Sequence, residues 1–117
     1  MKKQILLADD NPTIRKVLKL MIEKGGKYEV TPVTSGTEAY NHLTQNPVDA
    51  VVTDDQMPDG RGLDFIKKAR ANGYTLPIIL VSGTADVEEA LEAKADRFLQ
   101  KPVTYITLLK TLDELLQ

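Results

Sequence analysis

The sequence contains no cysteine and only one histidine, His42. Without cysteine, the chain cannot form a disulfide scaffold, a Cys-ligated zinc site or an iron–sulfur site. His42 lies in the middle of a predicted helix, beside Tyr40 and Leu43, and is remote from the predicted strand ends. One histidine in that place excludes a Ser/His/Asp triad and a histidine-based metal centre.

Long apolar runs and an excess of positive charge are also missing. The N-terminal stretch MKKQILLADD has a short apolar run that acidic residues end at once, which predicts neither a signal peptide nor a membrane span. The net charge of −2 gives no reason to expect direct nucleic-acid binding. The 117 residues, 42% of them hydrophobic, predict one cytoplasmic domain over residues 1–117.

Five short apolar runs alternate with helical patterns along the chain. The runs are Ile5–Ala8, Tyr28–Val33, Ala50–Thr53, Pro77–Val81 and Arg97–Gln100. The first, third and fourth runs are apolar on both faces, which is typical of central strands in a parallel sheet covered by helices on both sides. The alternation predicts a doubly wound α/β sandwich with right-handed crossovers.

Local sequence predicts where the first two helices begin and end. Asn11 followed by Pro12 predicts an N-cap and a first helical residue, and Gly25-Gly26 predicts the end of that helix. The segment SGTE, from Ser35 to Glu38, is typical of a capping box.

Polar segments follow four of the five predicted strands. They are Asp9-Asp10, Asp54-Asp55, Ser82-Gly83-Thr84 and Gln100-Lys101-Pro102. In a sheet of this kind, functional residues gather beyond the carboxyl ends of the strands. We therefore expect three acids, a hydroxyl and an ammonium group to meet at one edge of the sheet.

The charges at this edge predict a metal ion. Crowded carboxylates raise each other's pKa, and Lys101 alone cannot neutralise three of them. A hard divalent cation on oxygen ligands would complete the balance, and Mg²⁺ is the usual ion where phosphate is handled. A carboxylate nucleophile beside Mg²⁺ can accept a phosphoryl group, with the metal, Lys101 and the Ser82 hydroxyl holding its oxygens. Because successive strand side chains point to opposite faces, Asp54 and Asp55 cannot both act there.

Four motifs in this order resemble the response-regulator receiver domain, the CheY-like family: ILLADDNP, DDQMPDGRG, VSG and LQKP. The resemblance extends over the whole chain. It implies a flavodoxin-like (βα)5 three-layer sandwich whose five-stranded parallel sheet has the order 2-1-3-4-5. The family pattern Asp-x-x-Met-Pro begins at Asp54, which implies that Asp54 is the phosphoacceptor and Asp55 its outward neighbour.

The resemblance also implies roles for other residues. Asp9 and Asp10 match the acidic pair that binds Mg²⁺ together with Asp54, and Gln56 matches the residue whose backbone carbonyl completes the metal shell. Ser82 and Lys101 match the residues that bind the phosphoryl group. Phe98 matches an aromatic switch position that follows Ser82, Gly62 matches the glycine where the next helix begins, and Lys101-Pro102 matches a bond often found cis.

The chain departs from the family pattern between Ser82 and Lys101, where it is shorter by roughly three residues, close to one helical turn. We therefore expect a shortened or partly unwound fourth helix, and an altered output face. Lys94 stands where the family pattern has a glycine.

The resemblance implies a signalling module that a sensor histidine kinase, a phosphotransfer protein or a small phosphodonor phosphorylates, and that catalyses only its own phosphorylation and dephosphorylation. A downstream effector or an output domain would bind the changed surface of a monomer or weak dimer. The alternative is a small enzyme or carrier on the same fold. FMN binding calls for a phosphate loop after the first strand, where this chain has acids; an aspartyl-phosphate hydrolase calls for an acid at Gln56.

Overall fold

The computed structural model describes residues 1–117, and its elements alternate as the sequence predicts. The strands are β1 (Lys3–Ala8), β2 (Tyr28–Val33), β3 (Ala50–Asp54), β4 (Gln56–Met57), β5 (Gly60–Arg61), β6 (Ile78–Ser82) and β7 (Arg97–Gln100). The helices are α1 (Pro12–Glu23), α2 (Gly36–Gln45), α3 (Gly62–Ala71), α4 (Val87–Ala93) and α5 (Tyr105–Leu115). β4 and β5 form only a two-residue antiparallel hairpin.

The other five strands form one parallel sheet in the order β2-β1-β3-β6-β7. Without the small hairpin this is the predicted order 2-1-3-4-5, so the predicted fold class is confirmed. The carboxyl ends of β1, β3 and β6 lie side by side, because Ala8 pairs with Thr53 and Asp54 pairs with Val81.

Two hydrophobic layers cover the sheet, because alternate residues of each strand point to opposite faces. Leu6, Val51 and Leu80 pack beneath α2, α3 and α4 in one cluster of 16 buried residues. Ile5, Val52 and Ile79 pack with residues of α1 and α5 in a second cluster of 11. The central strands are therefore apolar on both sides, as their sequence predicts.

The predicted helix starts are largely confirmed. The Asn11 side chain accepts hydrogen bonds from the backbone N–H groups of Thr13 and Ile14, and Ser35 accepts one from Glu38. The capping box at Ser35 is incomplete, because the Glu38 carboxylate accepts from the N–H of Thr34 rather than from that of Ser35.

Two helices differ in ways that affect the site. α4 has seven residues, whereas the other helices have ten to twelve, as expected from the shorter segment. Its C-cap is Lys94, which has a left-handed backbone with φ of 70°. In α1, Ile22 is buried but Ile14 and Val17 are exposed, because they border an open groove of about 590 Å³. No helix has the length and apolar composition of a membrane span.

Candidate functional site at the carboxyl edge of the sheet

Three carboxylates meet at the carboxyl edge of the sheet. Asp9 and Asp10 follow β1, Asp54 ends β3, and one oxygen from each lies within 4.8 Å of the others. Asp9 is buried, Asp54 is half-buried and Asp10 is exposed. A set of carboxylate oxygens so placed is chemically suited to a hard divalent cation.

The charge of this cluster is incompletely neutralised. Burial raises the pKa of Asp9, and the neighbouring Asp54 and Asp10 raise it further. A hydrogen bond from the N–H of Asn11 and the charge of Lys101 act in the opposite direction but do not reverse the shift. The ionised form of Asp9 is thus disfavoured here, and a divalent cation would relieve that cost. The donor set therefore fits Mg²⁺.

The two oxygens of Asp54 have different surroundings. Oδ1 accepts hydrogen bonds from Lys101 Nζ, at 3.0 Å, and from the backbone N–H of Asp55, at 2.8 Å. No protein group donates to Oδ2. The side chain borders a cavity of about 340 Å³ together with Asp9, Asp10 and Gln56. The protein thus fixes one oxygen of Asp54 by hydrogen bonds and makes none to the other.

Asp55 is buried, and the prediction that it points outward is wrong. Its side chain is 0% exposed, and its Oδ2 accepts from Nη2 and Nε of Arg61, at 2.7 and 3.1 Å. Its Oδ1 accepts from the backbone N–H of Leu63 at 3.3 Å. Asp55 does point away from Asp54, as strand alternation requires, but the beginning of α3 covers that side. In the sequence, the only sign of a partner for Asp55 is the basic residue Arg61, six residues later.

The loop after Asp54 turns tightly because of Gly62. Its N–H donates to the Asp55 carbonyl at 2.6 Å, and a β-carbon added to it would lie 2.2 Å from the Asp54 carbonyl oxygen. The hairpin of β4 and β5 completes this loop by pairing Gln56 with Arg61. Gln56 consequently borders the acidic cavity; that its carbonyl is a metal ligand remains a prediction.

The Ser82 hydroxyl is held within its own loop. Ser82 is buried, and its Oγ accepts from the N–H groups of Thr84 and Ala85, at 3.0 and 2.9 Å. Gly83 and Thr84, rather than Ser82, border the acidic cavity. The side-chain amide of Gln56 donates to Thr84 Oγ1 at 3.3 Å. Ser82 Oγ also lies 3.3 Å from Thr84 Oγ1, with either hydroxyl as the donor.

Comparison with known proteins agrees with this geometry. The model of the response regulator receiver domain matches residues 5–113. The chain belongs to this family. Receiver domains are phosphorylation-dependent signalling modules of two-component systems, and they interact with sensor histidine kinases and downstream effectors. Membership disfavours the flavin carrier and the hydrolase that the sequence left open.

Individual relatives support the same assignment. The receiver domain is 34% identical over 119 residues to a chemotaxis protein CheY homolog of Campylobacter jejuni, with 97% of this chain and 92% of that protein covered. It is 38% identical over 105 residues to the response regulator GtcR of Aneurinibacillus migulanus, covering 87% of this chain but spanning only 43% of GtcR. The crystal structure of a CheY-like receiver domain from Methanospirillum hungatei superposes with a TM-score of 0.90 at 29% identity, covering 97% of this chain and 93% of that one.

Two further predicted features of the receiver domain have defined positions. Phe98 is partly buried, pairs with Leu80 across β6 and β7, and packs against the cluster beneath α2, α3 and α4. Its role as a switch remains a prediction. The Lys101–Pro102 peptide bond is cis, as the resemblance implied. His42 is half-buried on α2, within hydrogen-bond distance of Asn46, and does not border the acidic cavity.

Proposed function

We propose that this receiver domain accepts a phosphoryl group on Asp54 from a sensor histidine kinase, a phosphotransfer protein or a small phosphodonor. The observation that carries the proposal is the state of the Asp54 carboxylate: Lys101 holds Oδ1, no protein group donates to Oδ2, and the side chain borders an acidic cavity. In the transfer, Oδ2 forms a bond to phosphorus while the bond from phosphorus to the donor's nitrogen or oxygen breaks. The electron pair of the broken bond leaves with the donor, and Asp54 becomes an acyl phosphate.

Asp9, Asp10 and Asp54, with the backbone carbonyl of Gln56, would hold Mg²⁺. The bound ion supplies charge neutralisation for the phosphoryl oxygens. Lys101 stays beside Asp54 and provides a second positive charge at the same group. Ser82 would move toward Asp54 and donate its hydroxyl to a phosphoryl oxygen, and Phe98 would then turn inward.

The changed surface would bind an effector protein or an output domain. We propose that the domain catalyses only its own phosphorylation and dephosphorylation, and therefore does not turn over a generic phosphomonoester. A single domain over residues 1–117, a cytoplasmic location and a monomeric or weakly dimeric state remain predictions.

Intact-protein mass spectrometry after incubation with acetyl phosphate and Mg²⁺ tests the acceptor. We expect one phosphoryl group, lost on treatment with hydroxylamine and absent without Mg²⁺ or in Asp54→Asn. Asp59→Asn is the matched control, because it makes the same chemical change in an exposed residue of the same loop and should retain the phosphoryl group. Undiminished incorporation in Asp54→Asn would mean that another residue is the acceptor.

A further inference from the structure

Arg61 connects the loop of the phosphoacceptor with α4, and no motif described above includes this connection. Its Nη2 and Nε donate to Asp55, and its Nη1 donates to Glu89 Oε2 at 2.8 Å. Glu89 lies in the first turn of α4, 28 residues along the chain. One guanidinium group therefore joins two segments that are both expected to take part in phosphorylation.

The contact with Asp55 forms the fixed end of this connection. Asp55 is fully buried and directly follows the acceptor, and its backbone N–H donates to Asp54 Oδ1. Its carbonyl accepts from Gly62, which closes the loop. Displacing the Asp55 side chain would therefore disturb the hydrogen bonds that orient Asp54, and it would leave a buried carboxylate without its cation.

The contact with Glu89 forms the end that can move. The Arg61 and Glu89 side chains are 43% and 38% exposed, so separating them leaves both charges in water at little cost. Glu89 also belongs to a capping box with Asp86, so its position follows that of the first turn of α4. This turn begins at Val87, directly after the loop that holds Ser82.

The movement of Ser82 in the proposed function would be transmitted to this ion pair. Because Ser82 Oγ accepts from the N–H groups of Thr84 and Ala85, a movement of Ser82 toward a phosphoryl group on Asp54 pulls on the backbone of those two residues. Because Asp86 and Val87 continue directly from that loop, the first turn of α4 shifts as well. Two hydrogen bonds to Asp55 hold Arg61 in the loop of the acceptor, so this shift lengthens its contact with Glu89.

We propose that Arg61 is a positioning residue that holds the Ser82 loop in its unphosphorylated arrangement, through the ion pair with Glu89. The inference rests on the proposed phosphorylation of Asp54 and describes how that site is regulated. Phosphorylation or a phosphoryl mimic must break the pair before Ser82 can complete the site. Removing the pair should then favour the phosphorylated arrangement.

The test is a titration with beryllium fluoride at saturating Mg²⁺, followed by two-dimensional NMR of the whole domain. We expect Glu89→Gln to lower the apparent dissociation constant about two- to fivefold, the range that an exposed ion pair can provide. Glutamine keeps the side-chain oxygen that the capping box requires. Glu88→Gln is the matched control, because it removes an equal charge from the same helical turn and does not contact Arg61; its dissociation constant should equal that of the wild type.

Arg61→Lys provides a second variant. Lysine can neutralise Asp55 but lacks the planar fork that binds Asp55 and Glu89 together. The double variant Arg61→Lys/Glu89→Gln should therefore bind no more tightly than Arg61→Lys alone. Equal effects of Glu89→Gln and Glu88→Gln, weaker binding by Glu89→Gln, or additive effects in the double variant would each overturn the inference. A wild-type domain that binds no beryllium fluoride with Mg²⁺ would instead contradict the proposed function.

Discussion

The two edges of the central sheet treat their acidic residues differently. At the amino edge each aspartate has donors of its own: Asp49 accepts from the N–H of Gln4, Asp96 from Arg70 and the N–H of Ile78, and Asp113 from Tyr28 and Lys27. At the carboxyl edge, Asp9, Asp10 and Asp54 crowd together, and the only salt bridge to their carboxylates is that of Lys101 with Asp54. These acids of the amino edge stabilise the fold, whereas the three crowded carboxylates of the carboxyl edge are chemically suited to a divalent cation.

The pKa shifts at the two edges have opposite directions. The hydrogen bonds from Tyr28 and Lys27 lower the pKa of Asp113, whereas burial raises the pKa of Asp9. An acid with a lowered pKa stabilises the folded state when it ionises, and one with a raised pKa destabilises it. Ionised Asp9 at the carboxyl edge thus costs stability, whereas ionised Asp113 at the amino edge adds to it. Such a cost is common at functional sites.

The largest expected effect concerns the tight loop between Asp54 and Gly62 at the carboxyl edge. Gly62→Ala places a β-carbon against the Asp54 carbonyl, and both the loop and the Asp55 hydrogen bonds must shift. We expect the free energy of unfolding, measured by urea denaturation, to fall by about 3 kcal/mol or more. Gly36→Ala is the control, because its added carbon would meet only ordinary contacts with Phe65 and Asp59; a similar loss there would show that close packing at Gly62 is not the reason.

Removing one carboxylate charge from each edge tests the difference between the two edges most directly. Without divalent ions at pH 7, Asp9→Asn should raise the free energy of unfolding by about 1 kcal/mol, because it relieves carboxylate crowding and keeps an acceptor for the N–H of Asn11. Asp113→Asn should lower it by about 1 kcal/mol.

Adding Mg²⁺ should stabilise the wild type and Asp113→Asn, but Asp9→Asn much less, because ligand binding stabilises only a competent site. Thermal unfolding with and without Mg²⁺ measures this difference. If Asp9→Asn is less stable than the wild type in the absence of Mg²⁺, the crowded carboxylates do not lower the stability of the carboxyl edge.

A smaller effect concerns acid stability at the amino edge. Because the pKa of Asp113 is lowered, its stabilisation is complete above its ordinary pKa of about 4 and disappears as the pH falls through the lower, folded-state value. The difference in free energy of unfolding between the wild type and Asp113→Asn should therefore be constant near neutral pH and shrink below about pH 4. Glu114→Gln, on the adjacent exposed residue, should show no such dependence; a difference that persists in acid would assign the effect to packing.

The smallest expected effect lies at the end of the short helix α4. Lys94 has a positive φ that glycine adopts without strain, so Lys94→Gly should raise the free energy of unfolding by about 1 kcal/mol or less. The affinity for beryllium fluoride should stay unchanged, because Lys94 lies at the opposite end of α4 from Glu89. Urea denaturation measures the free energy of unfolding, and the same NMR titration measures the affinity. Destabilisation by glycine would mean that the lysine side chain contributes contacts that outweigh the backbone strain.

The sequence by itself determined the layout of this protein. Apolar runs such as Ile5–Ala8 and Ala50–Thr53 predict central strands, and Asn11 with Pro12 predicts the start of α1, because both depend on local periodicity and capping. The sequence also predicted which charged residues meet at one edge, because parallel strands have their carboxyl ends on the same side. These residues are Asp9, Asp10, Asp54 and Lys101.

Only the tertiary structure decided which polar groups are partners. Asp55 was expected to point outward, yet it is buried against Arg61, and the same guanidinium reaches Glu89 across 28 residues. Likewise, the sequence placed Ser82 at the edge, but the fold of its loop turns the hydroxyl toward Thr84 and Ala85. Periodicity records which face of a strand a side chain occupies, whereas long-range pairing depends on how separate elements pack, and no local pattern contains that information.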